Sequence, residues 1–431
     1  MIILIKTVTL DNGLKIVLEN IPYVRSIAFG IWINTGTRCE KPEENGVSHF
    51  IEHMMFKGTE KRNAKEIAEE MDAMGGQINA YTTKEYTCYY TRVLDRHFDH
   101  ALDVLSDMIL NSKFDENDIM REREVIEEEI DMYLDAPEEL VHDALEEAVW
   151  RETGLGMPIC GTKELLADMN RGIITSYYER TYRPQNAVVA VTGNFDTDDI
   201  IRKINAVFGS WSTEKYEKAE YPEATYIPSV VKINKNVEQV HLCFTFKAPK
   251  RDSQHKYALA VLNTLFGGGM SSRLFQKIRE DEGLVYTIYS YTSAYSDTGV
   301  MTVYACTSPQ KTEAVVKSVF REIGRLKNEK IDDRVIEVTK EQIISNYIIS
   351  SESTAGRITS NGGGMVLTGR VLSMEEILEK MDMVNYASVK DVIDEIFDAD
   401  QFSFSAVGNI EDIDFEGMIN EGKQFLYNQN R

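Results

Sequence analysis

Long hydrophobic runs are missing from this sequence of 431 residues. No stretch approaches the ~20 consecutive apolar residues that a membrane-spanning helix needs, so we expect no membrane segment. The chain begins with Met-Ile-Ile-Leu-Ile-Lys, which is too short for the hydrophobic region of a signal peptide and lacks a basic start and a cleavage site. We expect residues 1–6 to form a β-strand instead.

Cysteine is scarce and scattered. The cysteines occur singly, and no two of them form a Cys-x-x-Cys pair: Cys39, Cys88, Cys160, Cys243 and Cys306. We therefore expect neither disulfide bonds nor a zinc site built from thiolates. This usage suits a reducing compartment, and we expect a cytoplasmic protein.

The chain has far fewer basic residues than acidic residues. The chain has 47 Lys and Arg residues against 70 Asp and Glu residues, which gives a formal net charge of −23. Such a charge repels phosphates and argues against nucleic acid as a partner. Acidic residues lining a binding chamber would favour basic substrates, but general solubility explains the same charge equally well.

Glycine triplets at 267–269 and 362–364 are the only hint of a nucleotide loop. Neither triplet is followed by the Gly-Lys-Ser/Thr sequence that such a loop requires. We interpret both as flexible turns or hinges.

Of the seven histidines, two combine a metal-ligand spacing with a neighbouring acid. His49, Glu52 and His53 form the pattern His-x-x-Glu-His. Residues four apart share one face of a helix, so both imidazoles can point at one cation while Glu52 reaches a water bound to it. This pattern, the inverse of His-Glu-x-x-His, is typical of hydrolysis by a zinc-activated water. The alternative is a solvated helix face, but the apolar neighbours Phe50 and Ile51 favour the metal site.

A catalytic zinc usually has three protein ligands and one open position. The acid-rich segment 121–130, which we expect to be helical, is the best source of the third ligand. Glu122 and Glu129 are seven residues apart, so they lie on one helix face about two turns apart, beside an apolar stripe. The other glutamates of the segment point elsewhere or are ambiguous, and spacing alone does not choose among them.

Glu129 follows the motif 76 residues after His53 (129 − 53). This arrangement resembles the inverzincin peptidases. That family includes pitrilysin, insulin-degrading enzyme and the mitochondrial processing peptidase. The resemblance covers nearly the whole chain and includes segments 10–17, 53–59, 79–82, 121–129 and 267–275. It implies that His49, His53 and Glu129 bind one zinc ion per chain and that Glu52 is the general base. It also implies that Glu122 supports the metal ligands from the outer side.

Two further groups of site residues follow from the resemblance. One is an edge strand that could bind a peptide as an added strand, formed by Asn79, Ala80, Tyr81 and Thr82. The other is the pair Arg279 and Tyr286, which resembles an arginine and a tyrosine that complete the active site from the second half of the chain. These two would hold substrate carbonyls or the developing oxyanion.

The sequence contains an internal repeat. The segment 191–196 recurs as 406–411, which places Gly193 and Gly408 215 residues apart (408 − 193). A second pair of segments, 114–119 and 331–336, aligns at a similar offset. We predict a catalytic zinc-binding half (1–212), a linker (213–231) and a homologous half without metal (232–431). The order of strands and helices predicts an α+β fold in which each half has an antiparallel sheet with helices on one face. The resemblance adds that the two halves form a clam-like chamber.

These observations predict a zinc-dependent endopeptidase that cleaves unstructured peptides, basic ones among them. The alternative is a non-catalytic peptide-binding or assembly subunit of a processing-peptidase-like complex. The length resembles the single-chain bacterial branch of the family, which implies a homodimer, although a separate partner subunit is a second possibility.

Overall fold

The computed structural model of the protein describes residues 5–216 and 218–427. Of the predicted N-terminal strand, residues 1–4 lie outside the described residues, and Ile5–Thr9 forms strand β1. The chain divides into two compact units. The first unit contains the residues up to Asp131 together with Met157–Pro222 and Ile348–Ser373. The second unit contains Met132–Gly156, Glu223–Tyr347 and the residues from Met374 onward.

Both units combine strands with helices. The strands are β1 (Ile5–Thr9), β2 (Lys15–Asn20), β3 (Ser26–Ile33), β4 (Gln77–Thr82), β5 (Thr87–Leu94), β6 (Ala187–Gly193), β7 (Val230–Asn234), β8 (Val240–Ala248), β9 (Thr287–Ala294), β10 (Gly299–Thr307) and β11 (Phe402–Gly408). The helices are α1 (Val47–Met55), α2 (Ala64–Ala73), α3 (Phe98–Asn111), α4 (Glu116–Asp135), α5 (Pro137–Val149), α6 (Lys163–Asp168), α7 (Arg171–Thr181), α8 (Thr197–Phe208), α9 (Lys256–Gly267), α10 (Thr312–Asn328), α11 (Asp333–Ser350), α12 (Thr354–Thr368), α13 (Met374–Asp382), α14 (Tyr386–Ile396) and α15 (Phe415–Lys423). Among the described residues, no helix is both long enough and apolar enough to cross a membrane.

The first unit is built on a sheet with the strand order β1-β2-β6-β3-β5-β4. Neighbouring strands are antiparallel except β2 and β6, which are parallel. The central strands β3 and β6 are almost entirely apolar because both faces of the sheet are covered. Among the described strands, β4 lies at one edge of the sheet and pairs with β5 only.

The second unit repeats this plan. Its sheet has the order β7-β11-β8-β10-β9, which matches β2-β6-β3-β5-β4 strand for strand, including one parallel pair, β7 with β11. Gly193 and Gly408, from which the repeat was predicted, end the equivalent strands β6 and β11. The predicted duplication is therefore confirmed, and so is the predicted α+β class.

One helix of each sequence half packs on the sheet of the other half. Helix α12, from the second half of the sequence, covers the face of the first sheet that carries Trp32 and Val188, against which it places Ile358 and Met365. Helix α5, from the first half of the sequence, covers one face of the second sheet in the same way. Each half therefore needs a helix from the other half to complete its core.

The helix exchange corrects two details of the expected fold. Helices lie on both faces of each sheet rather than on one, because α3 and α8 cover the opposite face of the first sheet from α12. The compact units also differ from the continuous halves 1–212 and 232–431, since each unit includes an exchanged segment. Those boundaries remain a prediction about the repeat in the sequence.

The glycines at 362–364 form neither a turn nor a hinge, because they lie inside α12. A β-carbon on Gly362 would sit 2.5 Å from the ring of Trp32, so this glycine lets the helix approach the first sheet closely.

Candidate active site

Helix α1 carries His49, Glu52 and His53 and begins at a buried acid. The carboxylate of Glu40 accepts hydrogen bonds from the backbone N–H groups of Gly46 and Ser48, both at 2.8 Å. These N–H groups have no partner within the helix, so the carboxylate caps the positive end of the helix dipole. The apolar side of α1 is buried in the core of the first unit. The orientation of the motif is therefore fixed from both the end and the side of the helix.

The structure brings the two histidines and Glu129 together. The imidazole rings of His49 and His53 lie with their centroids 4.6 Å apart. Their Nε2 atoms are 3.8 and 3.6 Å from the same oxygen, Oε2 of Glu129 on α4. Two donors of one tetrahedral zinc, each about 2.1 Å from the ion, lie about 3.4 Å from each other. Each imidazole nitrogen is therefore within about 0.4 Å of the distance from the carboxylate oxygen that two ligands of one zinc ion would have.

Glu122 lies behind His53. Its Oε2 is 3.1 Å from Nδ1 of His53, and its Oε1 is 2.5 Å from Nζ of Lys57. The seven-residue spacing on α4 places Glu129 on Nε2 of the imidazole and Glu122 on Nδ1. A carboxylate on the second nitrogen fixes the ring and makes the first nitrogen a better metal ligand.

The electrostatics of the site follow from burial and from this pairing. Burial and the neighbouring His53 lower the pKa of His49 to about 4. Burial also acts to lower the pKa of His53, but the hydrogen bonds to Glu122 and Glu129 outweigh it and raise that pKa to about 9. Burial alone would raise the pKa of Glu122, but its bonds to His53 and Lys57 hold it below the ordinary value. In the metal-free chain a proton on His53 thus occupies a place that a divalent cation would take.

Glu52 is held in place by a residue of strand β4. The hydroxyl of Thr82 donates a hydrogen bond of 2.6 Å to Oε2 of Glu52. Burial raises the pKa of Glu52 above its ordinary value, and the negative charge of Glu129 acts in the same direction. A carboxylate with a raised pKa is a better base near neutral pH.

Strand β4 contains the predicted substrate-binding residues. Asn79, Ala80, Tyr81 and Thr82 pair with residues of β5, and β4 also lies against α1. Because β4 is an edge strand of the sheet, its outer side can accept an added strand. The last residue of the strand, Thr82, contacts Glu52, so the edge leads directly to the acid.

Arg279 and Tyr286 lie in the second unit, unlike the other site residues. The guanidinium of Arg279 lies 5.3 Å from the centre of the Tyr286 ring and 4.6 Å from the centre of the Phe275 ring. Tyr286 is 75% exposed. The two residues are therefore neighbours before strand β9, and their part in the active site remains a prediction.

Sequence reasoning missed four contributors to this environment. The contact of Thr82 with Glu52 and the cap supplied by Glu40 depend on the packing of elements distant in sequence. Lys57 could have been found, because it follows His53 by four residues and so lies on the same side of the chain as it leaves α1. The structure also places Cys160 close to His49 and Glu129.

Comparison with known protein families defines the class of protein that has this fold and site. The model of the Insulinase family (Peptidase family M16) matches residues 15–163, and the model of the Peptidase M16 inactive domain matches residues 168–343. The chain therefore belongs to peptidase family M16, as its resemblance to the inverzincins predicted.

Individual relatives are similar in sequence to this chain over nearly its full length. The Bacillus subtilis protein named "Uncharacterized zinc protease YmxG" is 43% identical over 92% of this chain and 97% of its own. An "Uncharacterized zinc protease" of Rickettsia felis is 38% identical over 90% of this chain and 94% of its own.

Solved structures show the same fold. A protease from Helicobacter pylori superposes with a TM-score of 0.90 at 20% identity, over 95% of this chain and 100% of its own. A peptidase M16 inactive domain from Pseudomonas fluorescens gives a TM-score of 0.87 at 16% identity, over 94% of this chain and 98% of its own.

Proposed function

We propose that the protein is a zinc-dependent endopeptidase. The observation that carries this proposal is the convergence of two imidazole nitrogens on one carboxylate oxygen, at 3.8 and 3.6 Å, next to a separately held acid, Glu52. Family membership and the names of the relatives support the same activity. A non-catalytic peptide-binding subunit is the second candidate, but it would not need a base held by Thr82 beside the metal ligands.

His49, His53 and Glu129 would hold the ion, one per chain. The donor set of two imidazoles and one carboxylate is the set found in a major class of zinc hydrolases. A bound zinc would supply a water of lowered pKa and would polarise the carbonyl of the scissile peptide bond. Glu122 keeps His53 oriented through Nδ1, and Lys57 balances the charge of Glu122.

Glu52 moves the proton. In its ionised form it accepts a proton from the attacking water, and in its acid form it donates that proton to the leaving amine. The hydrogen bond from Thr82 orients the carboxylate for both steps. Arg279 and Tyr286 would bind substrate carbonyls or the developing oxyanion, a role that rests on resemblance to the family.

The substrate would be an extended peptide. The outer edge of β4 can form backbone hydrogen bonds with a peptide, and these bonds depend little on the side chains of the peptide. A peptide that has no folded structure of its own can therefore bind there in an extended conformation. The acidic composition of the chain is compatible with basic peptides. A clam-like chamber and a homodimer are further predictions from the resemblance, and a cytoplasmic location is predicted from the cysteine usage. Light scattering on the purified protein would test the dimer.

The decisive variant is Glu52→Gln, which keeps the shape of the side chain and removes the base. We expect it to retain zinc and to lose cleavage of an unstructured fluorogenic peptide by about 10²–10⁴-fold in kcat, the usual contribution of a general base. A chelator should abolish cleavage by the wild type, and added zinc should restore it. A Glu52→Gln protein with wild-type kcat would disprove the assignment of the base, and a zinc-loaded wild type that binds but never cleaves peptides would favour the subunit.

A further inference from the structure

A cysteine lies beside the proposed metal ligands. One ligand atom from each of His49, Glu129 and Cys160 lies within 4.8 Å of those of the other two. The sequence predicted no thiolate zinc site, because Cys160 has no nearby cysteine partner in the chain. The cluster arises only because the loop that contains Cys160 folds back onto the start of α1.

The loop is held against α1 by close backbone packing. A β-carbon on Gly46, the residue before α1, would lie 2.8 Å from the carbonyl oxygen of Cys160. A β-carbon on Gly161 would lie 2.7 Å from the carbonyl oxygen of Asn45. Both glycines have positive φ angles, of +93° and +75°, which other residues rarely adopt. The pair of glycines thus allows an approach that places Cys160 next to the first turn of α1.

Hydrogen bonds fix the same loop from two sides. The side-chain amide of Asn45 donates to the carbonyl of Pro158 at 2.9 Å, and Nζ of Lys84 donates to the carbonyl of Met157 at 2.7 Å. The N–H of Gly161 closes a turn onto Pro158. The position of Cys160 is therefore set by the fold rather than by a free loop.

The histidine in the cluster is open to a ligand. The side chain of His49 is only 9% exposed, and its Nδ1 has no hydrogen-bond partner among the described residues. Its Nε2 is 3.8 Å from Glu129, which is longer than a hydrogen bond. A cation bound to Nε2 would give this buried ring a partner at that nitrogen.

We propose that Cys160 is an additional metal donor, so that the site can hold a cation with four protein ligands: His49, His53, Glu129 and the thiolate of Cys160. This inference rests on the proposed zinc site and adds a ligand to it. A tetrahedral site with one sulfur at about 2.3 Å needs donors about 3.5 Å apart. The ligand atoms of His49, Glu129 and Cys160 lie within 4.8 Å of one another, so they must move closer by up to about 1.3 Å when the ion binds.

The proposed sulfur ligand changes which metal ions the site prefers and whether the bound ion can catalyse hydrolysis. A thiolate is a soft ligand, so the site binds cadmium, zinc and cobalt in preference to harder cations. A fourth protein ligand also fills the position that hydrolysis needs open for water. The form with Cys160 bound is therefore a resting form, and the thiolate must leave before a peptide is cleaved.

X-ray absorption at the zinc edge of the wild-type protein, loaded with one zinc per chain, tests the proposal without any variant. We expect one sulfur neighbour at about 2.3 Å together with nitrogen and oxygen neighbours at about 2.0–2.1 Å. A coordination shell that contains only nitrogen and oxygen would overturn it.

Cobalt spectra of variants locate the sulfur. The wild type with one cobalt per chain should show a sulfur-to-cobalt charge-transfer band in the near ultraviolet, and Cys160→Ser should lose that band while it keeps the cobalt and its visible bands. Cys39→Ser is the matched control, because Cys39 is a free cysteine of the same unit outside the cluster, and it should keep the band. Cadmium should bind at least about tenfold more weakly to Cys160→Ser than to the wild type, a difference of about 1.4 kcal/mol. A band that persists in Cys160→Ser would contradict the assignment.

The outcomes separate this inference from the proposed function. A sulfur donor in the wild type, with no peptide cleavage by either the wild type or Cys160→Ser, would refute the peptidase and leave Cys160 as a ligand. A protein that cleaves peptides with a sulfur-free zinc shell would support the peptidase and refute the role of Cys160. A wild type that binds no metal at the cluster would refute both.

Discussion

The two units each contain a histidine whose pKa burial lowers to about 4, but the two residues have different surroundings. His142 on α5 faces the second sheet, where its Nδ1 lies 2.7 Å from the hydroxyl of Tyr291 and 3.3 Å from Sγ of Cys243. His49 on α1 has no such partner for its Nδ1 within the described chain, and its Nε2 faces Glu129. The fold satisfies the first histidine and leaves the second for a ligand.

The same contrast extends to the equivalent helices of the repeat. Helix α1 follows β3 and carries the His-x-x-Glu-His motif, whereas α9 follows the equivalent strand β8, is mostly apolar and contains no such motif. The two sheets have the same strand order, so the architecture does not dictate the chemistry. A few polar residues on one helix face, supported by α4, make the difference.

Removal of His49, the histidine without a hydrogen bond to its Nδ1 among the described residues, should have the largest effect on zinc binding. We expect His49→Ala to reduce zinc to well below one per chain after dialysis, because the loss of one proposed ligand weakens the binding of the ion. His142→Gln is the control in the second unit and should retain full zinc. Elemental analysis measures both, and full zinc in His49→Ala would remove that residue from the ligand set.

A smaller effect should follow from loss of the carboxylate behind His53. We expect Glu122→Gln to weaken zinc binding by about 10–100-fold, the usual range for a residue that orients a metal ligand. Titration against a competing chelator measures the affinity. Glu124→Gln, on the same helix, is the matched control and should bind zinc like the wild type, and equal affinities for the two variants would argue that Glu122 does not orient His53.

The helix exchange can be tested at the closest approach between α12 and Trp32. We expect Gly362→Ala to destabilise the protein by about 2 kcal/mol, because the added methyl group overlaps the indole ring. Gly363→Ala adds the same group at a position with no atom within 4 Å, and it should leave stability unchanged or raise it by up to about 1 kcal/mol. Thermal unfolding compares the two, and equal melting temperatures would contradict the packing of α12 on the first sheet.

The smallest expected effect is a change in the stability of the folded protein with pH. The pKa of His142 is about 4 in the folded protein and about 6.5 when unfolded, so the unfolded state binds more protons below pH 6.5. The stability linked to His142 is complete above pH 6.5 and is lost as the pH falls from 6.5 toward 4. At pH 5.5 the loss is about 1 kcal/mol relative to pH 7.5. Urea unfolding of zinc-loaded protein at these two pH values should show a smaller difference for His142→Gln, and an unchanged difference would exclude this histidine as a source of the acid sensitivity.

The sequence predicted much of the fold and part of the site. The spacing of His49, Glu52 and His53 was informative because helical geometry turns a separation of four residues into a shared face. The choice of Glu129 over the other acids of α4 came from the family resemblance, since periodicity treats several glutamates alike. The contributions of Thr82 and Cys160 could not be foreseen, because each depends on how distant segments pack.

The helix exchange was also hidden from the sequence. An amphipathic pattern shows that one side of a helix is buried, but it does not show which sheet covers that side. Only the contacts of Val141 and Ile358 show that each helix packs on the sheet of the other half.

The crossing of α12 onto the first sheet has a consequence for synthesis on the ribosome. The indole of Trp32 is made early, but the helix that shields it is translated more than 300 residues later, at Thr354–Thr368. Until then the nascent chain carries an apolar surface that invites chaperones or aggregation. A truncation product that ends before Thr354 would keep that surface permanently, so an isolated N-terminal fragment should be insoluble even though it contains every proposed metal ligand.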